Sequence, residues 1–191
     1  NAELVGLSFA VKEFEAFYVP IPAKREEALQ IVNIFKEVYE DPKILKVGQN
    51  LKYDLEVLRN YDIHLAGPMW DTMIAHYLIQ PELHHNMDYM AEIYLNYQTI
   101  HIEELIGPKG KNQQSMRSLL PSQVYEYAAE DADITLRLKN KLEPELKKYE
   151  CEDLFYNIEM PLMPVLAEME MNGVCLDTES LAETSKQFTT R

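Results

Sequence analysis

Tyr125-Glu-Tyr-Ala-Ala-Glu-Asp-Ala-Asp133 decides how the rest of the chain is read. As a helix it sets Tyr127, Asp131, Ile134, Leu138 and Leu142 at spacings of four, three, four and four, one face of a 3.6-residue turn. A carboxylate therefore stands inside an apolar stripe. A buried carboxylate protonates, finds a cation or binds a metal, because leaving it charged and alone is too costly. Tyr127 lies one turn earlier on the same face, so its hydroxyl and the Asp131 carboxylate can serve one site.

Working outward, Asn50-Leu-Lys-Tyr-Asp54 repeats the anomaly: Leu51, Asp54, Leu55 and Leu58 follow the i, i+3, i+4, i+7 pattern with an acid among them. Two acids turned inward from separate helices suggest oxygen ligands for a hard cation such as Mg²⁺ or Mn²⁺. Gly48-Gln-Asn50 is the turn that delivers Asp54 just beyond a short interior strand, Ile44-Leu-Lys-Val47, where α/β proteins commonly place their sites.

The chain has 191 residues, 47% of them apolar, and a net charge of −14. The charge argues against a basic-patch nucleic-acid binder and against an anionic-membrane binder, since both need excess Lys and Arg. An enzyme that meets phosphates through metal ions remains compatible with it. No apolar run has the length of a membrane span. Cys151 and Cys175 have neither metal-ligand spacing nor disulfide density, which fits a reducing cytoplasm. Residue 1 opens almost directly into a strand, with no initiator Met and no signal peptide, as expected of a piece of a longer chain.

Leu4–Ala10 and Ala16–Val19 read as a hairpin joined by Lys12-Glu-Phe-Glu15 and ended by Pro20 and Pro22. A helix is expected over 24–39, burying Leu29, Val32, Phe35 (or Ile34) and Val38. Asp71 reads as the N-cap of a helix over 72–79 and Asn86 as that of one over 87–95. Between them Pro81-Glu-Leu-His-His85 is a loop whose histidines read as solvated, with phosphate or metal contact as the alternative. Gly107-Pro-Lys-Gly-Lys-Asn-Gln-Gln114 is locally basic and lacks P-loop spacing. It reads as a surface loop, with a strap over a nucleic-acid backbone as the functional alternative. Pro144 and the Lys147-Lys-Tyr-Glu-Cys-Glu-Asp153 segment mark an expected helix break. A helix over 154–171 follows, dominated by Ile158, Leu162, Val165, Leu166 and Met169, a stripe of core character. Asn172-Gly173 closes it, and Asp177 caps a last helix reaching Arg191.

Lys46-Val-Gly-Gln-Asn-Leu-Lys-Tyr-Asp54 and Tyr127-Ala-Ala-Glu-Asp131 resemble the second and third exonuclease motifs of the 3′–5′ proofreading domain of bacterial family A DNA polymerases. Leu4–Ala10, Asp71-Thr-Met73 and Gly110-Lys-Asn-Gln113 resemble the same family in the same order. Asn157–Leu166 and Asn172-Gly-Val174 are similar to its lead into the polymerase thumb. The resemblance implies an α/β, ribonuclease H-like exonuclease fold, a mixed sheet flanked by helices, over residues 1–150, with 151–191 beginning the polymerase domain. It implies removal of nucleotides from the 3′ end of single-stranded or frayed DNA with two metal ions, Mg²⁺ or Mn²⁺, Zn²⁺ being a further candidate. Asp131 would ligate the metal that activates water, Tyr127 would orient that water, and Asp54 would hold the second metal. Gln49, Asn50 and Tyr53 would lie beside the terminal nucleotide.

The chain departs from the family where relatives carry Asp-x-Glu on a first strand before Leu4. That strand and its two ligands are not in the sequence, and Asp177-Thr-Glu179 is better read as a helix N-terminus. Impaired turnover is expected, together with open edges on the strands at 4–10 and 44–47 and a tendency to self-associate. The alternatives are a catalytically silent module that supports a polymerase and a ribonuclease D-like RNA exonuclease, which the thumb-like tail disfavours.

Overall fold

The computed structural model describes residues 3–189. The hairpin is as expected: β1 (Gly6–Lys12) and β2 (Glu15–Pro20) run antiparallel with Phe9 opposite Phe17, and Phe14 takes φ 66° to close the turn. The turn is pinned to the rest of the fold. The Phe14 N–H donates to Asp133 Oδ1 at 2.5 Å, and the Arg137 guanidinium lies 4.5 Å from the Phe14 ring centroid, a cation–π contact.

Over 24–39 the single expected helix is two, α1 (Arg25–Ile34) and α2 (Lys36–Glu40). Phe35 stacks on Phe9 at 4.8 Å, and the chain turns there to bring Phe35 and Tyr39 against β1. Ala28 and Val32 are therefore the buried residues, while Val38, expected inside, is 46% exposed.

β3 is Lys46–Gly48, later than expected, and Ile44 and Leu45 are exposed. Lys46 is buried instead, its Nζ donating to the carbonyls of Asp41 and Ala66. Its partner is a strand the sequence did not reveal, β4 (Met69–Asp71), parallel to β3 with Val47 opposite Trp70. The described strands thus make two two-stranded sheets, one antiparallel and one parallel, and β1 does not pair with β3.

Gly67, just before β4, has φ +80°, and a Cβ there would stand 2.6 Å from the Pro42 carbonyl oxygen. Gly67→Ala should cost about 1–3 kcal/mol, since both the left-handed backbone and the close approach to fixed backbone oppose it. Urea unfolding with a loss below about 0.5 kcal/mol would contradict that account.

The helices α3 (Leu51–Arg59), α4 (Thr72–Ile79) and α5 (Met87–Leu95) lie where the sequence places them. A short α6 (Ile102–Ile106) precedes the basic loop, and a 3₁₀ turn at Met116–Ser118 follows it. The long α7 (Pro121–Lys148) runs through Pro144 and breaks within the 147–153 part of the expected boundary. The carbonyl that loses its helical partner there is that of Asn140. Asn140 and Pro144 are both exposed, so water can satisfy the group. The turn comes later, at Glu150 with φ 57°.

After α8 (Glu152–Leu154) and a π-helical turn over Phe155–Glu159, α9 (Met160–Asn172) packs on α3 and β4, and α10 (Thr178–Thr189) buries nothing. The stripe expected in the core is the outer one: Ile158, Val165 and Met169 are 53%, 52% and 61% exposed, and Leu162 and Leu166 are exposed too. Met160, Met163 and Ala167 face inward. Ion pairs from Lys52 to Glu170 and from Arg59 to Glu168 accompany that rotation. A helix apolar on more than one side does not announce which side is buried.

The main core joins Leu51, Trp70, Ile134, Leu138, Leu142, Leu146, Phe155, Met160 and Met163, so residues beyond 151 share it with those before. A second cluster under the hairpin joins Leu7, Val32, Leu58, Tyr61 and Ile63. Arg117 ties that end together by donating to the carbonyls of Leu4 and Ile21. No described helix is long and apolar enough to cross a membrane.

Candidate active site

Ile134, Leu138 and Leu142 are fully buried on α7, and Asp131, one turn before them, is part-buried. Burial pushes its carboxyl up to about 7. The Tyr127 hydroxyl opposes that push by hydrogen bonding, and the charges of Glu130 and Asp88 add to it. Tyr127 is raised in turn, by burial first and then by the Asp131 charge. The two groups that share a helix face in the sequence therefore do meet in space.

Their surroundings are acidic. Asp88, in the first turn of α5, accepts from Thr99 Oγ1 at 2.7 Å and pairs with His101 Nδ1 at 3.1 Å. Glu130 accepts from the Tyr97 hydroxyl and the Ile100 N–H, both at 2.7 Å. Glu103 on α6 is close enough to raise Tyr127 further. None of these three acids stands out in the sequence, because Asp88 and Glu103 read as ordinary first-turn acids and Glu130 as a solvated face.

Asp54 sits on the first turn of α3 below three buried leucines, Leu51, Leu55 and Leu58. Water reaches its carboxylate, yet enough protein surrounds it to raise its pKa to about 7, with the Asp71 charge contributing. Asp54 is thus exposed and not turned inward with the leucines as the helical pattern suggests, and contact with water moderates the push. Asp54 in turn raises Tyr39 after burial has done so. Its neighbours are thus Asp71 and Tyr39, whereas those of Asp131 are Tyr127, Glu130 and Asp88, and neither acid shifts the other.

Asp71 is the N-cap of α4, accepting from the Met73 and Ile74 N–H groups at 2.8 and 3.1 Å. It does more than the sequence suggested: its second oxygen accepts from Leu51 N–H at 2.6 Å, so one buried carboxylate ties the start of α3 to the start of α4. Between them Asn50 adopts a left-handed backbone, φ 64°, which Asn tolerates better than most residues. Gln49 is half-buried, and both ends of its amide are engaged. Its amide donates to the His85 carbonyl at 2.8 Å and its oxygen accepts from Thr72 Oγ1. Asn50 and Tyr53 are exposed beside Asp54.

The loop histidines are not both solvated. His85 is half-buried, and its Nδ1 lies 2.8 Å from Nδ1 of His76, which is fully buried and held neutral, its pKa lowered by burial to about 4.

Among the described residues no three His, Cys, Asp or Glu side chains gather as a metal-holding group. What the chain does supply is two raised carboxylates that no positive charge offsets: Asp54 and Asp131 have no ion-pair partner among the described residues. That donor set suits Mg²⁺ or Mn²⁺ held partly by substrate phosphate and water, since Mg²⁺ is ordinarily bound through one or two carboxylates. It does not suit a closed structural site.

An α/β fold with acids of this kind at a helix start and inside a long helix defines a class. The chain belongs to the 3′–5′ exonuclease family, whose pattern matches residues 1–147. Its relatives include the DNA polymerase I of Pseudomonas aeruginosa, 40% identical over 198 residues and covering 98% of this chain, and that of Borreliella burgdorferi, 38% identical over 185 residues and covering 95%. The chain spans 22% and 20% of those two proteins, about a fifth of their length. Among solved structures it is similar to the POL domain of Pol1 from M. smegmatis in complex with DNA primer-template and dNTP, with TM-score 0.73, 22% identity, and 98% of this chain and 29% of that one covered. Brucella melitensis NrnC matches with TM-score 0.71 and 21% identity over 90% of this chain and 78% of its own.

Proposed function

We propose that this chain is the proofreading exonuclease unit of a DNA polymerase I, and that it hydrolyses the 3′-terminal phosphodiester of single-stranded or frayed DNA. The observation that carries the reading is the Tyr127–Asp131 pair: a carboxylate raised to about 7 by burial, hydrogen-bonded to a phenol and lacking any cationic partner among the described residues. In this reading Asp131 and Asp54 are the metal ligands, and Tyr127 holds the attacking water by its hydroxyl. Asn50 and Tyr53 line the path of the terminal nucleotide. Gln49 keeps that turn in shape through His85 and Thr72. A pair of divalent cations, when bound, would lower the pKa of water and stabilise the attacking and leaving oxygens. Mg²⁺ or Mn²⁺ is the fitting choice, and a solved NrnC carries Mg²⁺. Residues 151–191 would lead into the polymerase part of the same parent chain.

The test is shortening of a 5′-labelled single-stranded oligodeoxynucleotide in Mn²⁺. Asp131→Ala should lower the rate by about two orders of magnitude or more, the several kcal/mol a metal ligand contributes to charge stabilisation. Full activity in that variant would remove Asp131 from the site. One observation favours a second reading, a catalytically silent module: the described residues form no three-ligand group. Absence of any shortening by the unaltered chain would support it.

A further inference from the structure

An anionic strand approaching Asp131 meets Asp88, Glu103 and Glu130, so a nucleic-acid site here needs positive charge close by. The sequence distributes charge unevenly around that need. Between Arg59 and Lys109 there is no Lys or Arg, whereas residues 105–125 form the longest interval without Asp or Glu and contain Lys109, Lys111 and Arg117. Arg117 is spent on the carbonyls of Leu4 and Ile21. Lys109 and Lys111 are exposed and have no hydrogen-bond or ion-pair partner among the described residues.

Their loop is braced. The Gln114 N–H donates to the Ile106 carbonyl at 2.9 Å, the Gln113 N–H to the Gly110 carbonyl at 3.1 Å and the Gln113 amide to the Gly107 carbonyl at 3.2 Å. These bonds close the loop on its own base. It is also near the site. Glu103, close enough to perturb Tyr127, lies four residues before Gly107, about one helical turn or 6 Å of rise.

We propose that Lys109 and Lys111 form a phosphate-binding strap that holds the backbone of single-stranded DNA beside the Tyr127–Asp131 site. The inference rests on the nuclease reading above. Each ammonium neutralises one phosphate a short way back from the 3′ terminus, and the braced loop presents both with little ordering left to do. A contact of this type is blind to sequence and releases counterions, so it is read in the salt dependence of binding.

The experiment is fluorescence anisotropy of a labelled oligodeoxythymidylate with Ca²⁺ present, titrated across KCl concentrations. For K109A/K111A the slope of log Kd against log[KCl] should fall by about 1.4, from about 0.7 per phosphate contact on a single strand, with weaker binding at low salt. K109R/K111R should keep the slope of the unaltered chain. An unchanged slope in K109A/K111A, with the unaltered chain binding, overturns the strap and leaves the nuclease reading standing. Failure of the unaltered chain to bind the oligonucleotide at any salt concentration overturns both.

Discussion

Asp131→Asn will make the metal-free protein more stable at pH 8 and nearly no different at pH 4. The folded carboxyl is raised to about 7, against about 3.9 for an unfolded Asp. The folded state therefore binds the proton more tightly than the unfolded state does. The resulting stability is fully present below about pH 4, declines as pH rises towards 7 and is gone above it. Asn imitates the protonated form at every pH and its oxygen still accepts from Tyr127. The gain should accordingly grow across that interval and level off, reaching about 2 kcal/mol once partial exposure to water is allowed for, from a full shift equivalent to about 4 kcal/mol. Thermal unfolding in EDTA at the two pH values measures it. Saturating Mn²⁺ should reverse the order, stabilising the unaltered protein and leaving the variant unmoved. A variant no more stable than its parent at pH 8 would show that the Asp131 charge is well accommodated without a cation.

The second large effect is expected at Asp71. Asp71 is 1% exposed, and its carboxylate accepts from the Leu51, Met73 and Ile74 N–H groups. Asp71→Ala removes both acceptor oxygens, and with them three hydrogen bonds at two helix N-termini, and should cost about 3–5 kcal/mol, more than an ordinary cap because the donors left behind are shielded from water. Asp71→Asn should cost about 2 kcal/mol, since one oxygen can still cap α4 while the NH₂ faces the Leu51 N–H. Urea unfolding distinguishes the two. A loss below about 1 kcal/mol for Asp71→Ala would mean that water replaces the carboxylate.

Much of this was legible in the sequence because the signals were local. Tyr127, Asp131, Ile134, Leu138 and Leu142 share a face whatever surrounds them, and the caps at Asp71 and Asn86 act within their own first turns. The failures are of other kinds. β4 is three residues long, too short for a period to show. Pro144 sits mid-helix because the group it orphans faces water, a property of the fold and not of the residue. The side of α9 that is buried is the one whose Met160 and Met163 join the core, with Glu168 and Glu170 meeting α3, which no periodicity reports. The sequence singles out Asp54, Asp131 and Tyr127 as candidates but not Asp88, Glu103 or Glu130, whose proximity to Tyr127 and Asp131 arises only when α5 and α6 fold against α7.

The ion pairs across α3 and α9 have one more consequence. The helix that carries Asp54 is gripped at its start by Asp71 and along its length by Lys52–Glu170 and Arg59–Glu168. The position of α9 is therefore tied to that of the Asp54 helix through ion pairs that water half reaches and that contribute about 0–1 kcal/mol each.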